Sequence, residues 1–467
     1  MKRIVICFDG TWNALTNPKE VTNVVRVGQA VRKADDNGTA QIVYYNAGVG
    51  SGGPLDRLLG GVFGAGLRDN VKRGLAFLTL NWEKGDEIYI FGFSRGAYTA
   101  RALAGVITAI GGVPKQNHFD ELEEVWNFYR HTPEERKSEA LREQYKLKDR
   151  VHVDPNAPFL IKCLAVWDTV GSYGIPAGLG LGALARYFTS WTRGFHDNKL
   201  NRRIQVGLQA LATDEKRRAF PATTWVAEVG GSPQAGQFIE QVWFIGAHSN
   251  IGGGYALTGL SDLALIWMMA MVEQKTGLRF NREYIAQNFW PCAACSLYRS
   301  SHGWWLSSLF PSPRQLFPAP TAIWSAGKKA MQDVIPINEK VHWSVVERLG
   351  RKAIVDEKKW RTYTPRNLSP NWKIKQWREE ERSSIASDPR VAQMTDEELE
   401  LINLIRANHP KRLTDCVLFC DLKLEMEAKL PAAFKGLQNL LDPNVRRANW
   451  LRRVRDNWNM HVDPNPD

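Results

Sequence analysis

The run Asp86-Glu87-Ile88-Tyr89-Ile90-Phe91-Gly92-Phe93-Ser94-Arg95-Gly96-Ala97 constrains this chain more than any other stretch. An apolar β-type segment leads straight into G-x-S-x-G, and the small residues of Tyr98-Thr99-Ala100-Arg101-Ala102-Leu103-Ala104-Gly105 then read as a helix that packs closely on a sheet. A serine on so sharp a strand-to-helix turn exposes its hydroxyl, and the crowding there demands small neighbours at Gly92 and Gly96. The competing reading is a glycine-bounded serine in an ordinary strand-turn-helix; the flanking pattern favours the elbow. The N–H of Arg95 and the helix N-terminus would then face any oxyanion formed beside Ser94.

Apolar and polar stretches alternate through the first 275 residues as expected for a mostly parallel sheet with helices on both faces. Strands are predicted at 3–8, 41–45, 87–93, 159–167, 223–228 and 238–245, and helices at 21–34, 67–82, 96–110, 200–212 and 260–275. Residues 119–150, dense in charge, read as a solvated helical insertion. Residues 175–195 carry Gly178-Leu179-Gly180-Leu181-Gly182 ahead of Leu184, Tyr187, Phe188 and Trp191, the composition of a flexible cover over a pocket. The expected organisation is a catalytic core over 1–280 and a Trp-rich, irregular and helical cap or extension over 281–467. Within the latter, 395–409 and 434–458 read as helices, and the aromatics of 296–324 as either packing or an interfacial patch.

The balance of 61 basic and 49 acidic residues gives +12 over 467 residues. The excess is diffuse with no basic tail, which argues against a nucleic-acid groove. Cys7 and Cys163 lie inside apolar runs, as reduced core thiols do. The pairs Cys292/Cys295 and Cys416/Cys420 are far apart and lack histidines at ligand spacing, so no metal is expected. The basic-then-apolar start ends at Asp9, too soon for a signal-peptide core, and no apolar stretch is long enough to span a bilayer. The expected location is the cytoplasm of the producing cell.

A serine hydroxyl needs a base, and the base an orienting acid. Of nine histidines only His248 follows a predicted strand directly, with Gly252-Gly253-Gly254 behind it. Two carboxylates compete for the acid. Asp168 ends the strand 159–167, whereas Asp214 follows the predicted helix 200–212 and is equally suited to an ion pair with Arg217 or Arg218; Asp168 is preferred. The second oxyanion donor is assigned to the N–H of Gly10 or Thr11 in Phe8-Asp9-Gly10-Thr11-Trp12-Asn13. The same D-G-T would suit a phosphatase, but the nucleophile position two residues before Asp9 is Cys7. Gly48, Gly50, Gly52, Gly53 and 60–66 precede no Gly-Lys-Ser/Thr, which weakens a phosphate-loop reading.

Taken together, 8–13, 48–50, 92–101, 167–170 and His248-Ser249-x-x-Gly252-Gly253-Gly254-Tyr255 resemble an uncharacterised bacterial and fungal α/β-hydrolase family. Its best-known members are type VI secretion phospholipase effectors of the first lipase class. The resemblance implies an α/β-hydrolase fold and a Ser-Asp-His triad at Ser94, Asp168 and His248. It also implies phospholipid ester hydrolysis without a cofactor and peripheral membrane contact. Export by that secretion system, with a secretion-machinery or immunity partner, follows from the same likeness. Asn250 and Asn46 depart from the family's usual aspartate and proline. The alternative is an inactive hydrolase scaffold that binds anionic lipid or nucleic acid.

Overall fold

The computed structural model describes residues 1–10, 21–48, 61–153, 157–170, 199–217, 220–298, 312–325, 330–350, 352–355, 359–368 and 385–408. The expected cover at 175–195, Thr11, residues 299–311 of the aromatic run 296–324, the helix at 434–458 and the pair Cys416/Cys420 lie outside these residues.

Eight strands form the central sheet: β1 (Arg3–Phe8), β2 (Gln41–Asn46), β3 (Glu87–Phe93), β4 (Ile161–Trp167), β5 (Ile204–Ala212), β6 (Phe238–Phe244), β7 (Glu339–His342) and β8 (Val391–Ala392). Their order is β2-β1-β3-β4-β5-β6-β7-β8, and every pairing is parallel. Strands in such a sheet are covered on both faces and so read as nearly continuous apolar runs; β1 is buried at every position. Its side chains alternate between two cores. Val5 and Cys7 pack with Val24 and Val27 of helix α1 (Asn23–Ala30), whereas Ile4, Ile6 and Phe8 pack with Val71 and Leu75 of α2 (Gly61–Asn81) and Leu103 of α3 (Arg95–Ile110).

The chain runs outward from β1 to β2 and then returns to the other side of β1 to make β3. That reversal leaves a crevice at the carboxyl ends of β1 and β3, where open α/β sheets place ligands. Ser94 and Asp9 stand at those two ends.

The predicted helix at 200–212 is instead β5, a central strand. Its Leu, Gln and Ala favour a helix locally, but the strand is buried between β4 and β6 and so lacks the alternation that marks a half-exposed strand. A Cβ on Gly207 would sit 2.3 Å from Leu200, so this strand admits no larger residue without displacing that side chain. The strand predicted over 223–228 is confined to Val226–Glu228, at the edge of a three-stranded antiparallel sheet with 321–325 and 330–336. The insertion is less solvated than its charge implies. Helix α4 (Leu122–Tyr129) buries Val125, Trp126, Phe128 and Tyr129 in the α2–α3 core, and the strands 112–114 and 151–153 clip its ends together.

Sequence beyond residue 280 enters the same sheet through β7 and β8. The helix predicted at 395–409 is α8 (Asp396–Asn408). Between them, α5 (His248–Gly252) opens directly after β6, α6 (Gly259–Lys275) is almost wholly buried, and α7 (Arg282–Asn288) precedes the turn at Cys292. Among the described residues no helix is long and apolar enough to cross a membrane.

Candidate active site

Ser94 sits between β3 and α3 with φ 59° and ψ −123°, a conformation that costs an L-residue about 1–3 kcal/mol. Its surroundings impose that geometry. A Cβ on Gly92 would lie 2.6 Å from the Gly96 carbonyl oxygen, and one on Gly96 would lie 2.2 Å from that of Phe8 and 2.5 Å from that of Asp9. The two glycines of the motif therefore let α3 press its first turn against the end of β1. The Ser94 N–H donates to the Trp167 carbonyl at 3.0 Å, which ties the elbow to β4. Although Ser94 is the N-cap of α3, its hydroxyl makes no capping bond.

That hydroxyl faces His248 instead, with Oγ 2.7 Å from Nε2. On the other side of the ring, Nδ1 lies 2.6 Å from Asp168 Oδ2. A carboxylate only accepts, so Nδ1 carries the proton and Nε2 offers its lone pair to the serine. Phe93 and Phe220 bracket the imidazole with ring centres 4.7 and 5.1 Å away. The glycine run behind His248 has a steric role: a Cβ on Gly252 would penetrate the Phe93 ring at 2.0 Å, and Gly253 adopts φ 83°. Asn250 Oδ1 accepts the Ala247 N–H at 3.2 Å and caps α5.

Asp168 is wholly buried at the end of β4, with φ 41°. Ala212 N–H donates to Oδ1 at 2.9 Å. Arg314, absent from the sequence-based site, lays its guanidinium across both oxygens at 2.5 and 3.0 Å and also donates to the carbonyls of Ala212 and Phe220. Burial alone would raise the pKa of Asp168; the Arg314 charge and the His248 bond overcome it and hold the carboxyl well below the usual range. For His248, burial lowers the pKa, Asp168 opposes it, and Arg217 adds to the lowering.

Asp214, the alternative acid, makes no bond to His248. It accepts from Gly246 N–H and Tyr363 O–H, each at 2.8 Å, and burial raises its pKa. Because 204–212 is a strand, Asp214 lies two residues past a strand end and turns toward Tyr363, leaving the imidazole to Asp168. Its neighbour Glu215 accepts the His248 N–H at 3.2 Å and pairs with Arg217.

The loop after β1 carries Gly10, one of the two residues predicted as a second oxyanion donor. Asp9 braces it, accepting from Thr22 O–H at 2.8 Å and Tyr45 O–H at 2.8 Å. The Gly10 N–H, one of the predicted donors, is turned to Asp9 Oδ1 at 2.6 Å. Arg95 opens α3 immediately after the serine, and burial pushes its side chain down to about 10. Cys7 is buried within β1, and burial raises its thiol far above the ordinary value, so it is no nucleophile for the D-G-T loop. Among the described residues no group of three His, Cys, Asp or Glu side chains is placed to hold a metal.

Comparison with known proteins adds a family. The model for the catalytic domain of Tle1-like phospholipase effectors of the type VI secretion system matches residues 2–271. An uncharacterized protein of Saccharomyces cerevisiae, YEL023C, is 34% identical over 142 residues, which cover 27% of this chain and 20% of that protein. A solved uncharacterized protein from Pseudomonas aeruginosa is 18% identical over 61% of this chain and 47% of its own, with a TM-score of 0.34. The Tle1 effector bound to the VgrG spike of the type 6 secretion system is 19% identical over 54% of this chain and 51% of its own, with a TM-score of 0.31. The chain thus spans a fifth of the yeast protein and about half of each solved chain. The family match takes in β1 to β6 and the segments that carry Ser94, Asp168 and His248, and the chain belongs to the Tle1-like phospholipase effector family by its catalytic domain.

Proposed function

We propose that the protein is a serine hydrolase of phospholipid carboxylic esters, with Ser94 as nucleophile, His248 as general base and acid, and Asp168 as the group that orients it. The observation that carries this reading is the unbroken relay of 2.7 Å from Ser94 Oγ to His248 Nε2 and 2.6 Å from His248 Nδ1 to Asp168. His248 Nε2 takes the Ser94 proton as Oγ attacks the acyl carbon. The oxyanion is held by the N–H of Arg95 and by an N–H of the Gly10–Thr11 loop, which requires Gly10 to release Asp9. The imidazolium returns its proton to the departing alcohol oxygen, and water, deprotonated by the same nitrogen, then releases the fatty acid. The chemistry needs no cofactor.

Family membership supports a lipid substrate met at a membrane surface, and delivery by a secretion spike of the kind bound to the Tle1 effector. The test is covalent labelling with a fluorophosphonate, followed by hydrolysis of a defined phospholipid panel. The wild type should label at Ser94 and release fatty acid, and Ser94→Ala should do neither. A folded wild type that fails to label, while it still binds anionic vesicles, would point to an inactive lipid-binding scaffold.

A further inference from the structure

On the α3 side of the sheet, away from the Ser94 relay, lies a cavity of about 1050 Å³. Its volume is that of a small-molecule site rather than a packing defect. One stripe of α3, with Tyr98, Arg101 and Thr108, forms a wall, and Leu164, Ile204 and Ile239 of β4, β5 and β6 give it an apolar floor. Cations dominate the rest: Arg101, Arg136, Lys137, Arg142, Lys199 and Arg202 line it against the carboxylates of Glu134 and Glu228. Glu228 is spent on Lys199 at 2.9 Å. Arg142 donates to the Ala109 and Ile110 carbonyls at 3.0 Å each, bonds that hold its charge in place without cancelling it.

Arg101 is the decisive group. One of its nitrogens donates to the Thr223 carbonyl at 2.7 Å, and its guanidinium carbon lies 5.4 Å from the centre of the Trp225 ring. Neither partner bears a negative charge. Burial pushes its pKa down to about 10, as expected for a cation withdrawn from water without a carboxylate to offset the loss. A planar fork held in this way beside an open volume suits a tetrahedral oxyanion, which it can meet through two N–H groups at once. The apolar floor beneath favours an organic phosphate over the bare ion.

We propose that this cavity is a second binding site, distinct from the Ser94 relay, for a phosphate ester, with Arg101 as its anchor and the exposed Arg202 at its rim. A lipid headgroup and a free phosphomonoester share that chemistry. The full chain is titrated with glycerol 3-phosphate by thermal shift, at ionic strength matched with chloride, and co-sedimented with phosphatidylglycerol and with phosphatidylcholine vesicles. Saturable stabilisation at millimolar ester is expected, abolished in Arg101→Met and weakened several-fold in Arg202→Ala, whose exposed position leaves folding intact. Loss of phosphatidylglycerol binding in the same variants identifies a headgroup as the source; unchanged vesicle binding alongside lost stabilisation identifies a free ester. No saturable response of the wild type to ester or vesicles beyond the chloride control, or equal responses in wild type and both variants, overturns the site. Fluorophosphonate labelling of Ser94 should be unaffected by Arg202→Ala, so this site and the hydrolase reading fail separately.

Discussion

Arg314→Met separates the role of Arg314 from that of the relay it supports. Arg314 is 6% exposed, and its guanidinium bonds both oxygens of Asp168, which is itself 0% exposed. Removing one partner of a buried ion pair typically costs about 3–5 kcal/mol, because the other charge stays behind. His248 and Ala212 still hydrogen-bond the carboxylate, so the lower end, about 3 kcal/mol, is expected. For a chain of 467 residues, at about 2.1 cal/mol/K of unfolding entropy per residue, that is a fall in Tm of roughly 3 °C. The sign of the pH dependence follows from Asp168, whose folded-state pKa is depressed. Its contribution is complete above the unfolded value of about 4 and disappears as the pH drops through the lower folded value. In the variant, burial is less well opposed and the folded pKa rises. The gap between wild type and variant in urea unfolding should therefore be widest near neutral pH and narrow below about pH 4. With Arg314 gone, the carboxylate charge is shared with no second cation, so the imidazolium is better stabilised and the acid limb of kcat/KM should move to higher pH by on the order of one unit. A difference under about 1 kcal/mol at neutral pH, together with an unmoved acid limb, would refute this account of Arg314.

Asp168→Asn should slow fluorophosphonate labelling by about 10³-fold or more, because the wrong imidazole tautomer is then held against Ser94, while Asp214→Asn should stay within about 3-fold; the opposite ranking would reassign the acid. Burial draws His248 below 6.5, so the acid limb of kcat/KM should be centred below about that pH, and an acid limb centred above 7 would contradict the buried, neutral ring. Gly96→Ala places a methyl 2.2 Å from the Phe8 carbonyl and should cost more than about 4 kcal/mol or prevent soluble expression. Gly85→Ala, with φ 98° but no atom within 4 Å, serves as the control at about 1–2 kcal/mol, read by chemical denaturation.

The elbow at Ser94 was legible because its causes are consecutive residues: an apolar strand, a backbone turn that only glycines tolerate on either side, and a helix of small residues. His248 was legible for a similar reason, a strand end followed by glycines, although the Phe93 ring that makes Gly252 necessary lies in another strand. The strand β5 was not, since a central parallel strand loses the alternation that would mark it and its local propensities point to a helix. That misreading also misplaced Asp214, which sits past a strand rather than a helix.

Arg314 lies 146 residues from Asp168, beyond the family match, in a stretch with no periodicity to mark it. Local sequence thus determined the backbone geometry around the serine and the kind of group that must meet it. Only the packed sheet decided which carboxylate reaches the imidazole, which cation balances that carboxylate, and that a cationic cavity opens along α3. Steric rules act between neighbours in the chain, whereas the compensation of a buried charge depends on which distant segments are brought to its side.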